Sequence, residues 1–535
     1  MDFEEPVVFT RRSSGLIRTV GAFSALSLVL CHTIGGGINK LMVYASYTSP
    51  GANVPLAFLF TGIIAIITAA VYMMLSTAMP RTGGDYIYIT RGISPIMGFL
   101  ASWGFWFTEV LAFGIIAFYD IPLWGLTFQI AGSAMQSEAL LRIGSILSAP
   151  HWGLWLGFAM VIVFSLVALR GMTTYTKIIN GMLILPAIGS VLMIIFMAKG
   201  PAGVAANWDI TFGAGMYQKV VELSAQHTDV WRPSAFSLGA TLLAGVGGIW
   251  AYIGVTAAAY VGGEVKNPRR TMAIGLLGGA TIIVLYYVFL SFMVYRAYGD
   301  FIPMYCNVHK HPEAWQALTA IYPHAPAPYL PTFAAAMSPG LHLVQFIVAI
   351  SAALWLMNDI PVFFVICSRQ VFSWSFDRFF PAKFAEVNPK YHTPHYAILL
   401  TLLGGLLGVI ISFVAEKGVV GSWLAAMDTT MLYQFAVTLG CLAAITLPYI
   451  RPDIYERGRK LEIGGIPVMS ILGLIGFGFN FWYLFIAGSW LKISRDLIIQ
   501  SGWMFLGAII FLAYYAHNTR KGIDVRSIYQ QVPPA

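Results

Sequence analysis

Charge is what this chain of 535 residues has least of: Asp, Glu, Lys and Arg together make up 10% of it. Soluble domains carry about 25%, so so few charges exclude an ordinary cytosolic enzyme and a disordered chain. Cysteine is also scarce, with four in all. Cys31, Cys367 and Cys441 fall in apolar stretches and Cys306 sits alone in a polar loop, which excludes a disulfide framework. No Asn-x-Ser/Thr sequon occurs, which fits a chain that is not glycosylated. The segment from Met1 to Val20 is acidic and then basic (Arg11, Arg12, Arg18), and no small-residue cleavage site follows an apolar core of signal-peptide length. His, Cys and carboxylates form no cluster at metal-ligand spacing, and no phosphate loop is present. A metalloenzyme, a cofactor enzyme and an ATP-driven pump are therefore not expected, and no cofactor or metal is assigned.

What is present is apolar sequence: 58% of the residues are hydrophobic, with a mean hydropathy of +0.74. Apolar runs fall near 20–47, 54–78, 95–119, 152–170, 174–198, 236–262, 271–297, 341–370, 396–414, 422–447, 466–489 and 499–516. Each is long enough to cross about 30 Å of hydrocarbon as a helix. The predicted class is an all-α membrane protein with 12 transmembrane helices, whose first partner is the lipid bilayer. The formal charge of +8 then reads as Lys and Arg anchoring the cytoplasmic face, not as a nucleic-acid footprint. With the N-terminus inside, cytoplasmic loops outweigh outer ones in Lys and Arg by roughly two to one, which predicts both termini in the cytoplasm.

Two long outer loops, 199–235 and 299–340, separate the runs. The second holds His309-x-His311, which reads as a solvated pair in preference to a metal site. Runs one and six are both interrupted by glycine, at Gly35-Gly36-Gly37 and at Gly245-Val246-Gly247-Gly248. Glycine can simply let helices pack closely. Three in succession fit that reading badly, because each costs about 1 kcal/mol of helix propensity against Ala. Broken helices in matching positions of two five-helix units, the second inverted, are the sequence pointer to a transporter site.

Four motifs then stand in order: Ile34-Gly35-Gly36-Gly37-Ile38; Pro80-Arg81-Thr82-Gly83-Gly84-Asp85-Tyr86-Ile87-Tyr88; Glu264-Val265-Lys266-Asn267-Pro268-Arg269-Arg270; and Asp377-Arg378-Phe379-Phe380-Pro381, followed by Val387-Asn388-Pro389 and Thr393-Pro394. Together they resemble the amino acid–polyamine–organocation superfamily over roughly residues 15 to 450. The resemblance implies the leucine-transporter-type five-plus-five inverted repeat, with helices 1 and 6 broken and two peripheral helices. It divides the chain into an N-terminal arm (1–19), a first repeat (20–198), an outer loop (199–235), a second repeat (236–447), two peripheral helices (448–516) and a tail (517–535). It implies amino acid permease activity by alternating access, in the plasma membrane. Substrate would be held by Thr33, Gly35, Gly36 and Gly37 at the first break and by Ala251 and Ile253 at the second, with Trp250, Tyr252, Trp106 and Asn358 as candidate pocket residues. The chemistry suits a zwitterion: freed N–H groups and the helix dipole meet a carboxylate, and freed carbonyls meet an ammonium.

Carboxylates inside spans are costly and are functional candidates by default. Asp120 is expected at the membrane interface. Asp359 and Glu109 are candidates for coupling, Asp359 as a proton-loading carboxyl. His32, beside the first break, reads first as a satisfied core histidine. Sodium-coupled relatives place hydroxyls on helix 8 near Val362 to Phe364, where this chain has none. Some proton-coupled relatives carry a lysine in helix 5; the stretch Ile178 to Ala198 has none, and Thr256 stands where others carry an acid. Proton coupling through Asp359 is the remaining expectation. Lys40 and Asp428 are expected to pair as an outer gate, although Lys40 could instead pair with Glu109. The alternatives are a polyamine or cationic amino acid antiporter and, outside the class, a non-transporting membrane sensor.

Overall fold

The computed structural model describes residues 8–418, 430–490 and 495–534, with side chains left aside at 486–490 and 495–496. A chain in hydrocarbon must pair every backbone N–H and C=O within itself, which leaves helices as the spanning solution here. Among the described residues, twelve helices are long and apolar enough: spans 1 (Ala22–Thr48), 2 (Val54–Ala78), 3 (Pro95–Met135), 4 (Pro150–Leu169), 5 (Met172–Met197), 6 (Leu238–Tyr260), 7 (Pro268–Tyr298), 8 (His342–Phe376), 9 (His395–Glu416), 10 (Thr430–Ile450), 11 (Val468–Phe485) and 12 (Leu497–Arg520). Their starts carry the usual signals. Asn53 Oδ1 accepts from Leu56 N–H at 3.0 Å and Ser237 Oγ from Ala240 N–H at 3.2 Å, while Pro95, Pro150 and Pro268 open spans 3, 4 and 7.

Spans 3 and 8 form the centre, packed along each other. Span 8 is the most enclosed and span 12 the least. Spans 3 and 9 approach through Gly114 and Gly408, where a Cβ would meet the facing backbone, and Gly405, where it would meet the Phe113 ring. Span 1 is not one continuous helix. Its first part ends at Thr33; Ile34 is extended (φ −84°, ψ 105°), a π-helical turn covers Gly37–Leu41, and α-helix resumes at Met42–Thr48.

Three expectations are corrected. The irregularity in span 6 does not fall at Gly245–Gly248: these residues lie in regular α-helix Leu238–Ala251, and 3₁₀ geometry begins after Tyr252, over Ile253–Tyr260. Gly245 and Gly248 instead give room to Tyr483 and Thr61, so here close packing explains the glycines. The two long loops are largely helical, with Val204–Phe212 and Met216–Gln226 in one and Phe301–Lys310, Pro312–Ile321 and Leu330–Ala336 in the other. Cys306 belongs to the third of these helices and is buried. Span 3 runs on to Met135, and Asp120 within it is fully enclosed and accepts from Trp124 Nε1 at 3.0 Å.

Candidate functional site

The break in span 1 is where the sequence candidates gather. Gly36 has helical torsions (φ −59°, ψ −29°), and a Cβ built on it would lie 3.2 Å from Trp250 Cη2. A Cβ on Gly37 would overlap Ala251, so spans 1 and 6 touch backbone to backbone at this level. A Cβ on Gly35 would lie 3.5 Å from Leu356 Cδ1 and 3.9 Å from Asp359 Oδ2. Gly35, Gly36, Gly37, Trp250, Ala251 and Asp359 therefore share one small region, and Leu356 joins them.

Other candidates face elsewhere. Thr33 Oγ1 donates to Val29 O at 2.7 Å, and its carbonyl, left without a helical donor by the break, accepts from Tyr287 of span 7 at 2.7 Å. The carbonyl of Gly35 accepts from Asn39 Nδ2 at 2.9 Å. Tyr252 is turned toward span 2, where its hydroxyl donates to Phe58 O at 3.1 Å and its ring meets Phe58 and Tyr287. Ile253 follows it, half-buried. Asn358 Nδ2 donates to Met182 O at 2.9 Å, toward span 5. Trp106 lies in an aromatic cluster with Trp103, Trp374 and Trp503, with centroids 5.8–6.3 Å away.

Asp359 and Glu109, assigned separately from the sequence, converge on one residue. His32 Nδ1 lies 2.6 Å from Asp359 Oδ1, and His32 Nε2 lies 3.3 Å from Glu109 Oε2. The first contact is a hydrogen bond. The second has the distance of an ion pair but not the angle of a hydrogen bond, so His32 Nε2 and Glu109 Oε2 are both left without a hydrogen-bond partner. The side chains of His32 and Glu109 are 2% exposed and that of Asp359 is 12%. Phe363 stands edge-on to the imidazole at 4.7 Å and helps fix its plane. Reading the sequence position by position missed this role of His32. The signal was that His32, Glu109 and Asp359 all lie inside apolar runs, since none of them is readily buried alone.

Lys40 does not pair with Glu109; it is exposed, with Nζ 5.7 Å from the Tyr329 ring centroid. Asp428, its expected gate partner, lies outside the described residues. His309 and His311 do not act together: Tyr44 Oη lies 2.8 Å from His309 Nδ1, whereas His311 stacks on His227. His227, His311 and Glu313 have ligand atoms within 4.8 Å of one another, a grouping that spans both long loops and that spacing along the chain did not reveal.

The remaining motifs meet at the end of the bundle that carries both termini. Gly83 (φ +113°) and Gly84 (φ +56°) take a left-handed turn that other residues rarely adopt. A Cβ on Gly84 would lie 2.8 Å from the Tyr260 ring. Gly83 N–H donates to Tyr260 O at 3.1 Å and Ser373 Oγ to Thr82 O at 2.8 Å, which ties the loop to spans 6 and 8. Glu264 receives Arg369 Nε at 2.9 Å and Nη2 at 3.0 Å, and Asp377 receives Arg91 Nη1 at 2.6 Å. Asp85 opens the short helix Asp85–Gly92, and burial pushes its carboxyl up to about 7. The tail reaches the same place: Arg91 donates to Ile528 O and Gln531 O, and Arg81 to Pro533 O.

Among the described residues, twelve membrane-length helices, the first of them interrupted, define a multi-pass membrane protein, and residues 20–512 match the amino acid permease family. The chain belongs to that family, within the amino acid–polyamine–organocation superfamily. It is 22% identical over 518 residues to the methylthioribose transporter of Bacillus subtilis (strain 168), covering 94% of each chain. It is 24% identical over 515 residues to the serine/threonine exchanger SteT of the same organism, covering 95% of this chain and 98% of that one. An arginine/agmatine antiporter of Chlamydia trachomatis is 21% identical over 477 residues, covering 88% and 85%.

Proposed function

We propose that the protein is a secondary active transporter that moves an amino acid by alternating access, with the proton as coupling ion. The observation that carries the reading is the break in span 1, with Trp250 over Gly36 and Asp359 Oδ2 near Gly35. Amide N–H groups and the positive dipole end at the start of the outer half-helix suit the substrate carboxylate. Asp359 suits the ammonium. Gly35, Gly36, Gly37, Trp250 and Ala251 are the contact residues in this reading, with Thr33, Ile253, Tyr252, Asn358 and Trp106 supporting them at greater distance. Residues 20–198 and 236–447 are the two inverted five-helix units, 448–516 the peripheral helices, and both termini are cytoplasmic, in the plasma membrane. Proton over sodium is supported by span 8, which carries no hydroxyl from Val362 to Phe364.

A polyamine or cationic amino acid antiporter is the second reading, favoured by two carboxylates close to the break and by the similarity to the chlamydial arginine/agmatine antiporter. The test is counterflow in proteoliposomes, with L-serine, L-threonine, L-arginine, agmatine and methylthioribose as competitors. Competition by compounds that carry both a carboxylate and an ammonium is expected. Competition by agmatine and arginine alone favours the second reading, and competition by methylthioribose alone overturns the zwitterion site.

A further inference from the structure

We propose that Asp359, His32 and Glu109 form a proton relay in which Asp359 exchanges the proton with the substrate gap and Glu109 stores it. The inference rests on the proton-coupled reading above and assigns separate tasks within it. Three spans supply the three groups, and the exposure falls from Asp359 (12%) to His32 and Glu109 (2% each), so the gap opens at the Asp359 end. Asp359 uses its two oxygens differently: Oδ1 is bonded to His32, and Oδ2 faces the break beside Gly35 without a hydrogen-bond partner among the described residues. Glu109 is poised and not engaged, since Oε2 faces His32 Nε2 at 3.3 Å with neither atom hydrogen-bonded. A small rotation of either side chain makes that bond.

The step moves one proton out of Asp359 and one onto Glu109, with the proton count of His32 unchanged and no electrons transferred. Asp359 as the neutral acid donates from Oδ1 to His32 Nδ1, while His32 releases the proton on Nε2 to Glu109 Oε2. The imidazole ends in its other tautomer, now donating from Nδ1 to an ionised Asp359. Asp359 Oδ2 is then an anion at the break and holds the ammonium of the substrate. Running the relay backwards neutralises Asp359 and frees the substrate; Asp359 then gives its proton to the water that replaces the substrate, which links the two releases as a symporter requires. The other titratable groups around the relay are Cys31 and Tyr287 near Asp359, and Cys367, Tyr260, Tyr433 and Asp85 toward Glu109. No Lys or Arg among the described residues is within ion-pair distance of any member.

The experiment uses the full chain in proteoliposomes with a trapped pH dye, L-serine and L-arginine as probes, and Glu109→Gln, His32→Gln and Asp359→Asn as variants. Infrared difference spectra on adding substrate give a second readout. The wild type should acidify the lumen with substrate entry and show a protonated-carboxyl band that disappears in Glu109→Gln. Glu109→Gln and His32→Gln should lose proton co-entry at least tenfold while counterflow remains measurable. Asp359→Asn should lose substrate affinity as well. Size-exclusion profiles and the conservative Glu109→Asp variant, which should regain part of the proton co-entry, separate loss of the relay from loss of the fold. Proton co-entry in the wild type that persists in Glu109→Gln or His32→Gln overturns the relay alone. A wild type that moves both probes without protons overturns the coupled reading and the relay with it.

Discussion

Adding one carbon at Gly36 and at Gly37 should do two different things. At Gly36 the torsions are those of a right-handed helix, so Ala is unstrained there and gains up to about 1 kcal/mol over Gly in helix propensity. Its Cβ meets only the tip of a tryptophan ring, at 3.2 Å. The ring can yield by a few tenths of an ångström, so stability should stay within about 0.5 kcal/mol of the parent, as the two effects offset. At Gly37 the new carbon meets Cβ and Cα of Ala251. Backbone must move, at about 1–3 kcal/mol for overpacking. Transport should rank the other way for the larger change. Gly36→Leu places a branched side chain where the substrate carboxylate approaches and should abolish uptake in a protein that still purifies as a monodisperse species. Gly36→Ala, by displacing Trp250, should raise the half-saturating concentration about tenfold, or 1.4 kcal/mol. Thermal unfolding in detergent and counterflow in proteoliposomes measure the two quantities. Normal half-saturation in Gly36→Leu would refute the break as the site, and an undiminished melting temperature in Gly37→Ala would refute the close approach of spans 1 and 6.

Glu264→Gln should destabilise the protein by about 3–5 kcal/mol, because it leaves the Arg369 guanidinium buried without its anion, and Glu264→Leu combined with Arg369→Met should recover most of the loss; thermal unfolding of the three proteins checks this. Asp85 has a folded-state carboxyl at about 7 against an ordinary 3.8, so it holds a proton that the unfolded chain has lost. Stability therefore declines as pH rises from about 4 to about 7 and levels off above. Asp85→Asn should remove that slope relative to wild type in melting curves taken across the range. Tyr529→Ala removes a ring that lies 5.2 Å from the Arg91 guanidinium and 5.4 Å from Phe379, and should loosen the tail; faster cleavage near residue 529 in limited proteolysis is the expected result.

The spans were legible because hydrocarbon demands long apolar helices, a requirement each segment meets by itself. The break in span 1 was legible for a similar reason, since three adjacent glycines are a local signal. Span 6 shows where local reading stops. Glycine in a membrane helix also serves close packing, and only the positions of Thr61 and Tyr483 reveal that Gly245 and Gly248 do so. The full length of span 3 was not legible, because the weakly apolar stretch after Pro122 continues the same helix to Met135. Asp359 and Glu109 could be picked out as costly charges, but their common partner could not. His32 is 327 positions from Asp359, and only packing of spans 1, 3 and 8 brings them together. The helices within the two long loops were hidden by their shortness, 7 to 11 residues each, and in the second loop by its many prolines.

Coupled transport through the break is tested most directly by accumulation of labelled L-serine and L-arginine in proteoliposomes under imposed gradients. Proton and sodium gradients are applied separately, each with the membrane potential clamped. Accumulation above the equilibrium level under an inward proton gradient, its collapse on adding a protonophore, and indifference to sodium are the predicted results. Accumulation driven by sodium, with no response to the proton gradient, would contradict the account.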